Sequence, residues 1–301
     1  MATKHILLTG GTGLLGKQLT QALLAKGHTV ALLSRTAKQE PGVKTFLWDV
    51  EKGQIDEQCI DGVDLIIHLA GAPIAEKRWT DQRKQEIIKS RTESIRLIYN
   101  LMKRKPHRVK RVISASGISY YGNNGDTLLK ENHPAANNFL GDCCVQWEQA
   151  VDEGLQQGLT TVKFRTGVVL TKQGGALPQL AMPIKFGFGS PLGSGLQYIP
   201  WIHQQDVTDM YLHAVEHENL SGVYNMVAPN PVTNAQLTKA VAKQLKRPLW
   251  APKVPEFLIR LLFGEMAMVV LDSIRASPLK IEQTGFVFMF PTVEGALMEI
   301  Y

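Results

Sequence analysis

The chain opens on a short, unalternating aliphatic run, His5-Ile6-Leu7-Leu8-Thr9. A run of this length and composition reads as a strand buried on both faces. Apolar residues then recur at helical spacing from Gly13 to Lys26, with Leu15, Leu19, Leu23 and Leu24 on one face and Gly27 as the stop. The alternation continues. Strand patterns cover 28–33, 45–48 and 65–69, and a long helical pattern covers 80–102. A fifth strand starts at Val112, a helix follows over 142–155, and a sixth strand covers 160–165. Strands joined by crossover helices predict an α/β fold with a Rossmann-type, doubly wound parallel sheet.

After Gly167 the pattern changes. Glycine and proline become dense over 174–200, which predicts loops closing over a site. Helical patterns then dominate. Thr233-Asn234-Ala235-Gln236 has the form of a capping box, and an apolar helical stretch over 255–271 is interrupted at Gly264. The expected layout is a nucleotide-binding domain over 1–167, whose core later segments can complete. A smaller substrate-side lobe follows over 168–301, with a C-terminal extension from about 247.

The chemistry begins at Thr9-Gly10-Gly11-Thr12-Gly13-Leu14-Leu15-Gly16, which leaves the first strand and opens the first helix. Gly11 to Gly16 matches the dinucleotide fingerprint in both sequence and context. Its glycines allow a tight turn, close approach to a pyrophosphate and close helix–strand packing, while the helix start offers unpaired N–H groups. Gly10, Thr12, Gly13, Leu14, Leu15 and Gly16 are therefore expected at the cofactor. The second strand ends Ser34-Arg35, and no acidic residue lies between Gly16 and Glu40. An acid there would favour the ribose hydroxyls of NAD, whereas a guanidinium grips a 2′-phosphate, so the expected cofactor is NADP. Asp49 is placed to accept from the adenine amino group. The small residues of Leu69-Ala70-Gly71 leave room for a ribose.

Composition narrows the setting. The 301 residues are 44% hydrophobic and 20% charged, ordinary for a folded chain and unlike a disordered one. The net charge of +6 suits an anionic ligand without requiring nucleic acid. The basic run from Lys103 to Arg111 lacks interleaved aromatic residues and reads as a solvated helix end and turn, so no nucleic-acid partner is expected. Cys59, Cys143 and Cys144 make no disulfide framework. With no secretory signal and no apolar run long enough to span a bilayer, the expectation is a cytoplasmic protein without a membrane partner. His213 and His217 share a helix face but lack a third ligand, and no metal is expected. Neither Cys143 nor Cys144 has an arguable base beside it, and Gly117-Ile118-Ser119-Tyr120-Tyr121 is not a hydrolase elbow.

Several segments taken in order resemble the extended short-chain dehydrogenase/reductase superfamily, in its atypical epimerase-family group. They are Thr9–Gly13, Ser114-Ala115-Ser116-Gly117-Ile118-Ser119-Tyr120-Tyr121-Gly122, Phe164-Arg165-Thr166-Gly167-Val168-Val169-Leu170 and Gly189-Ser190-Pro191-Leu192-Gly193-Ser194-Gly195. Trp201-Ile202-His203 and Ala228-Pro229-Asn230-Pro231-Val232-Thr233-Asn234 complete the set. The resemblance implies cofactor contacts from Glu86, Arg91 and Arg165, and substrate-side positions for Trp201, His203 and Asp206. It also implies a homodimer through the helices over 80–102 and 142–155. Typical members use Ser, Tyr and Lys, the Tyr serving as acid or base. Ser116 matches the Ser. Aligned on Glu148, the Tyr position is Leu140 and the Lys position Cys144, and neither can do that work. Tyr120 and Tyr121 are the substitutes at hand, with Tyr121 preferred and His203 a second candidate.

Two functions follow as expectations. One is an NADP-dependent oxidoreductase or epimerase acting on a hydroxyl or carbonyl carbon of a small, sugar-nucleotide-like molecule. The other is a catalytically degenerate NADP-binding sensor or regulator.

Overall fold

In the computed structural model, which describes residues 3–37 and 41–301, strands and helices alternate as the apolar pattern requires. Met1, Ala2 and Lys38–Glu40 lie outside the described residues, Glu40 among them. The first half contributes β1 (His5–Thr9), α1 (Leu14–Ala25), β2 (Thr29–Ser34), β3 (Lys44–Asp49), the short β4 (Gln54–Ile55) and β5 (Leu65–His68). The long α2 (Asp81–Arg104), β6 (Arg111–Gly117), β7 (Leu128–Leu129), α3 (Phe139–Asp152) and β8 (Thr160–Thr166) follow. The helix expected over 142–155 thus starts earlier, where Asn138 caps Gly141 N, and gives way after Asp152 to a 3-10 turn over Glu153–Gln157.

Beyond Gly167 come β9 (Val168–Leu170), α4 (Ala176–Lys185), β10 (Tyr198–Ile199), β11 (Trp201–His203), α5 (Gln204–Glu216) and β12 (Gly222–Met226). Then follow β13 (Val232–Thr233), α6 (Asn234–Gln244), α7 (Glu256–Phe263), α8 (Met268–Leu271), β14 (Arg275–Ala276), α9 (Leu279–Glu282) and α10 (Val293–Ile300). The loops expected over 174–200 therefore contain a helix. In α4 the spacing of Leu177, Ala181 and Ile184 buries one face. Pro178 falls in the first turn, where its missing N–H would have had no helical partner.

Eight strands form one sheet in the order β12-β8-β6-β5-β1-β2-β3-β4, parallel except for β4. β12 was not legible as a strand, and it brings residues 222–226 back beside β8. Two apolar layers cover the sheet. On one side α1 and α5 pack with Leu8, Leu23, Phe164 and Met226; on the other α2 and α3 pack with Leu7, Ile66, Ile98 and Val151. The outer faces of α2 and α3 are polar, with Gln82, Gln85, Lys89 and Glu93 on one and Asp142, Gln146 and Gln149 on the other all exposed. A third apolar cluster, including Leu177, Trp201 and Leu237, holds the later elements together. The capping box at Thr233 and Gln236 is formed.

The basic run over 103–111 is largely engaged within the fold. Arg104 pairs with Glu57, Lys105 with Asp61 and Arg108 with Asp64. Arg111 is buried and donates to the carbonyls of Ala214 in the last turn of α5 and of His217 and Leu220 beyond it. No helix among the described residues is long and apolar enough to cross a membrane.

Candidate functional site

The site sits where the parallel strands end. Thr9 pairs in register with Leu33 on one side and His68 on the other, so β1, β2 and β5 finish together. α1 starts after Gly13 with no side-chain cap, and its start leaves the N–H groups of Leu14, Leu15 and Gly16 without helical acceptors. Gly10 has φ +70, and a Cβ there would stand 2.9 Å from the Leu69 carbonyl. A Cβ on Gly16 would stand 2.2 Å from Gly10 O. The turn is thus closed on itself by backbone contact. Thr9, which opens the motif but was not expected as a contact, fixes the neighbouring strand end: its Oγ1 accepts from Leu69 N and Ala70 N, both at 3.1 Å.

Ser34 is buried at the end of β2, its hydroxyl accepting from Thr36 N, while Arg35 is exposed and has no hydrogen bond or ion pair with a described residue. Asp49 ends β3, and its carboxylate accepts from Lys52 N, the main cause that holds its pKa below the ordinary value. Gly71 presses on Arg91, whose Cζ would lie 3.0 Å from a Cβ there. Arg91 is buried, donates to Ile87 O and Ala72 O, and leaves its Nε without a partner among the described residues. Glu86 is half-exposed and paired with Arg83 at 2.7 Å, a bond that lowers its pKa.

At the other end of the site the register sets Ser116, Arg165 and Asn225 in one row across β6, β8 and β12. The row is one buried polar network. Ser116 Oγ donates to Glu148 Oε1 at 2.7 Å, and Arg165 donates twice to the same carboxylate, through Nε at 2.8 Å and Nη2 at 2.9 Å. Arg165 Nη1 also donates to the Tyr121 hydroxyl at 2.9 Å, which itself donates to Asn225 Oδ1 at 2.8 Å. Glu148 and Asn225 were not expected at the site as functional groups; the register of β12 brings in Asn225, and the packing of α3 against β6 and β8 brings in Glu148. Burial pushes the Tyr121 phenol up to about 12, and both of its hydrogen-bonding directions are taken. Tyr120 lies partly buried with the Arg165 guanidinium 3.3 Å from its ring centroid.

Leu140 and Cys144 are buried on α3. The Cys144 thiol donates weakly to Gly117 O and is pushed up to about 12 by burial, which keeps it protonated. Trp201 is buried and donates to Asn230 O. His203 caps α5 through Gln205 N, packs on Phe290, and burial lowers its pKa. Asp206 is fully buried and accepts from Met289 N and Phe290 N. All three are buried and bonded within the fold. His213 and His217 stack 3.9 Å apart, and no group of three His, Cys, Asp or Glu suited to a metal exists among the described residues.

A parallel sheet with a glycine turn at its centre and a serine row at its far strands defines a Rossmann-type protein of the short-chain dehydrogenase/reductase kind. Residues 6–226 match the NAD dependent epimerase/dehydratase family, and residues 254–300 match a domain of unknown function, DUF1731. The chain belongs to the NAD dependent epimerase/dehydratase family. It is 36% identical over 298 residues to epimerase family protein YfhF of Bacillus subtilis, covering 98% of this chain and 97% of that protein. It is similar to crystallised human epimerase family protein SDR39U1 (isoform2) with NADPH, at 31% identity and a TM-score of 0.85 over 98% of each chain. A nucleoside-diphosphate sugar epimerase from Corynebacterium glutamicum matches at 30% identity and a TM-score of 0.81, over 99% of this chain and 58% of that one.

Proposed function

We propose that this chain binds NADP(H) at the ends of its central strands and exchanges hydride between the nicotinamide and a hydroxyl- or carbonyl-bearing carbon. One observation carries the reading: the self-closed glycine turn, with its uncapped helix start, stands beside a strand end whose exposed arginine makes no hydrogen bond or ion pair with a described residue and feels only the nearby charge of Glu86. Backbone stands where a Cβ at Gly10 or Gly16 would be, and a turn that tight suits the cradling of a phosphate by backbone N–H groups. The human relative crystallised with NADPH supports the phosphorylated form of the cofactor.

In this reading the N–H groups at the start of α1 receive the pyrophosphate and Arg35 grips the 2′-phosphate. Ala70 and Gly71 offer their backbone to a ribose, with Arg91 packed where a Gly71 Cβ would stand. Bound nicotinamide supplies or accepts the hydride. Ser116 gives its own hydrogen to Glu148, so it holds a substrate hydroxyl by accepting from it, and Arg165 keeps that carboxylate in place. Proton transfer lacks the usual tyrosine and lysine, because Leu140 and Cys144 fill those positions and Tyr121 is walled in. Turnover is therefore expected about 10²–10⁴-fold below that of a site with a positioned acid or base.

That deficiency also supports a second reading, in which the chain senses or reports NADP(H) without turnover. Calorimetric titration tests the shared part: NADPH should bind about 10–100-fold more tightly than NADH, the worth of charge-assisted bonds to one phosphate. Equal affinities, or tighter NADH, would overturn it. Single-turnover oxidation of bound NADPH by a panel of carbonyl compounds separates the two readings. Oxidation by any of them favours hydride exchange, and none leaves the sensor.

A further inference from the structure

Three strand-end loops meet at the nucleotide end of the sheet. Leu33 and His68 both pair with Thr9, so the chain leaving β2 toward Arg35 and the chain leaving β5 at Leu69 flank the glycine turn on its two sides. The loop after β5 is pinned at its base to α2. Arg91 Nη2 donates to Ala72 O at 3.0 Å, Ala72 N donates to Ser90 Oγ at 2.9 Å, and Arg83 Nη2 donates to Pro73 O. Trp79 Nε1 closes the loop on itself by donating to Ile74 O at 2.9 Å, and Arg78 donates to Leu262 O at 3.1 Å. Between these fixed points Lys77 is exposed and makes no hydrogen bond or ion pair with a described residue.

Glu86, in the second turn of α2, stands between the two banks. It pairs with Arg83 at 2.7 Å, and the charges of Lys77 from the loop and of Arg35 from beyond β2 both reach it. Its side chain is 50% exposed and can turn into water. Two cations without bonds of their own thus converge on one carboxylate that is able to leave. A 2′-phosphate monoester carries about −1.5 to −2 charge near pH 7, more than Arg35 alone can balance. An ammonium on a flexible stem suits the remaining charge, because it acts as a point charge without a fixed fork of donors.

We propose that Lys77 is the second cation of the 2′-phosphate site, and that Glu86 is the anion which the phosphate displaces between Lys77 and Arg35. The proposal rests on the NADP(H) reading above and deepens it: the preference for the phosphorylated cofactor is set from both sides of the glycine turn, by the loop after β5 as well as by the end of β2.

Calorimetric titration of the full chain with adenosine 2′,5′-bisphosphate and with adenosine 5′-monophosphate isolates the 2′-phosphate, the one group by which the two differ. The wild type should prefer the bisphosphate. Lys77→Ala should cut that preference about tenfold, the worth of one exposed charge-assisted bond, and leave the monophosphate affinity unchanged. Lys77→Arg should retain the preference. Glu86→Gln should raise it about fivefold, because the competing carboxylate charge is gone. Lys239→Ala, which removes the same charge from an exposed position on α6, should change neither affinity. An undiminished preference in Lys77→Ala overturns the proposal, as does a loss shared equally by both nucleotides or matched by Lys239→Ala. A preference that Glu86→Gln leaves unchanged or lowers overturns the role given to that carboxylate. A wild type that binds the two nucleotides equally would sink the NADP(H) reading itself, whereas a preference that survives in Lys77→Ala leaves that reading standing on Arg35 and removes only this proposal.

Discussion

Ser116 gives its hydroxyl hydrogen to Glu148 across 2.7 Å, and this bond ties the end of β6 to α3 one turn beyond Cys144. Glu148 in turn is gripped by Arg165 through two bonds in an environment nearly closed to water. A buried ion pair of this kind gains little over an apolar pair, yet it is costly to break from one side. Glu148→Gln leaves the Arg165 guanidinium buried without its counter-charge and should cost about 3–5 kcal/mol in urea unfolding. Ser116→Ala should cost only about 1 kcal/mol. A Glu148→Gln protein as stable as the wild type would show that the pair does not hold the row together.

Arg35 should act on the cofactor and not on the fold. Arg35→Ala is expected to weaken NADPH about 10–100-fold, to leave NADH unchanged, and to leave the melting temperature unchanged, because the side chain is exposed and touches no described partner. Parallel losses for both nucleotides in calorimetry would assign the effect to a disturbed turn.

The glycine turn predicts a graded response to added methyl groups. At Gly16 the new carbon meets Gly10 O at 2.2 Å and Gly11 Cα at 2.6 Å, both backbone atoms that cannot swing aside. Gly16→Ala should destabilise by about 1–3 kcal/mol and abolish nucleotide binding. At Gly13 the corresponding contact with Gly10 O is 3.2 Å, so Gly13→Ala should be much milder. Chemical denaturation of the two variants side by side gives the comparison. Equal effects would mean that the turn opens more freely than its contacts indicate.

His68 sets an acid limit. It is fully buried, bonded to Ser94 and Ser114, and burial followed by the nearby Arg91 charge lowers its pKa from 6.5 to about 3. The folded state therefore holds it neutral, while the unfolded chain takes up a proton below 6.5. Its contribution to stability is complete above that value and is lost as pH falls toward the folded-state pKa, at about 1.4 kcal/mol per pH unit. Between pH 7 and pH 5 the wild type should lose roughly 2 kcal/mol relative to His68→Gln, by the same arithmetic. Parallel unfolding curves for the two proteins across that range would remove His68 as the cause.

The main strand–helix alternation up to residue 166 was legible because its strands carry short apolar runs and each crossover helix has a continuous apolar face, whereas the two-residue strands β4 and β7 are too short to leave a pattern. Gly10 and Gly16 were legible for the same reason that they matter, since the turn tolerates no side chain there. β12 was missed because Gly222-Val223-Tyr224-Asn225-Met226 alternates weakly and places an asparagine in the sheet. That asparagine is buried by bonds to Tyr121, Leu129 and Ser277, partners far away in sequence. Glu148 looked like an alignment marker on a helix, and its carboxylate gains meaning only when α3 lies against β6 and β8. Trp201 and His203 could be assigned to the later lobe, but their burial against Asn230 and Phe290 depends on tertiary packing that no local pattern reports.

The margin strand contributed by residues 222–226 has a consequence for how the polypeptide must be made and handled. A fragment stopped at residue 167 would leave the backbone groups of β8 bare along one side, a template for unwanted pairing. During synthesis the nucleotide fold cannot be sealed until that late strand has emerged. The two halves of the chain are thus interleaved, and neither should be soluble as a separately expressed piece.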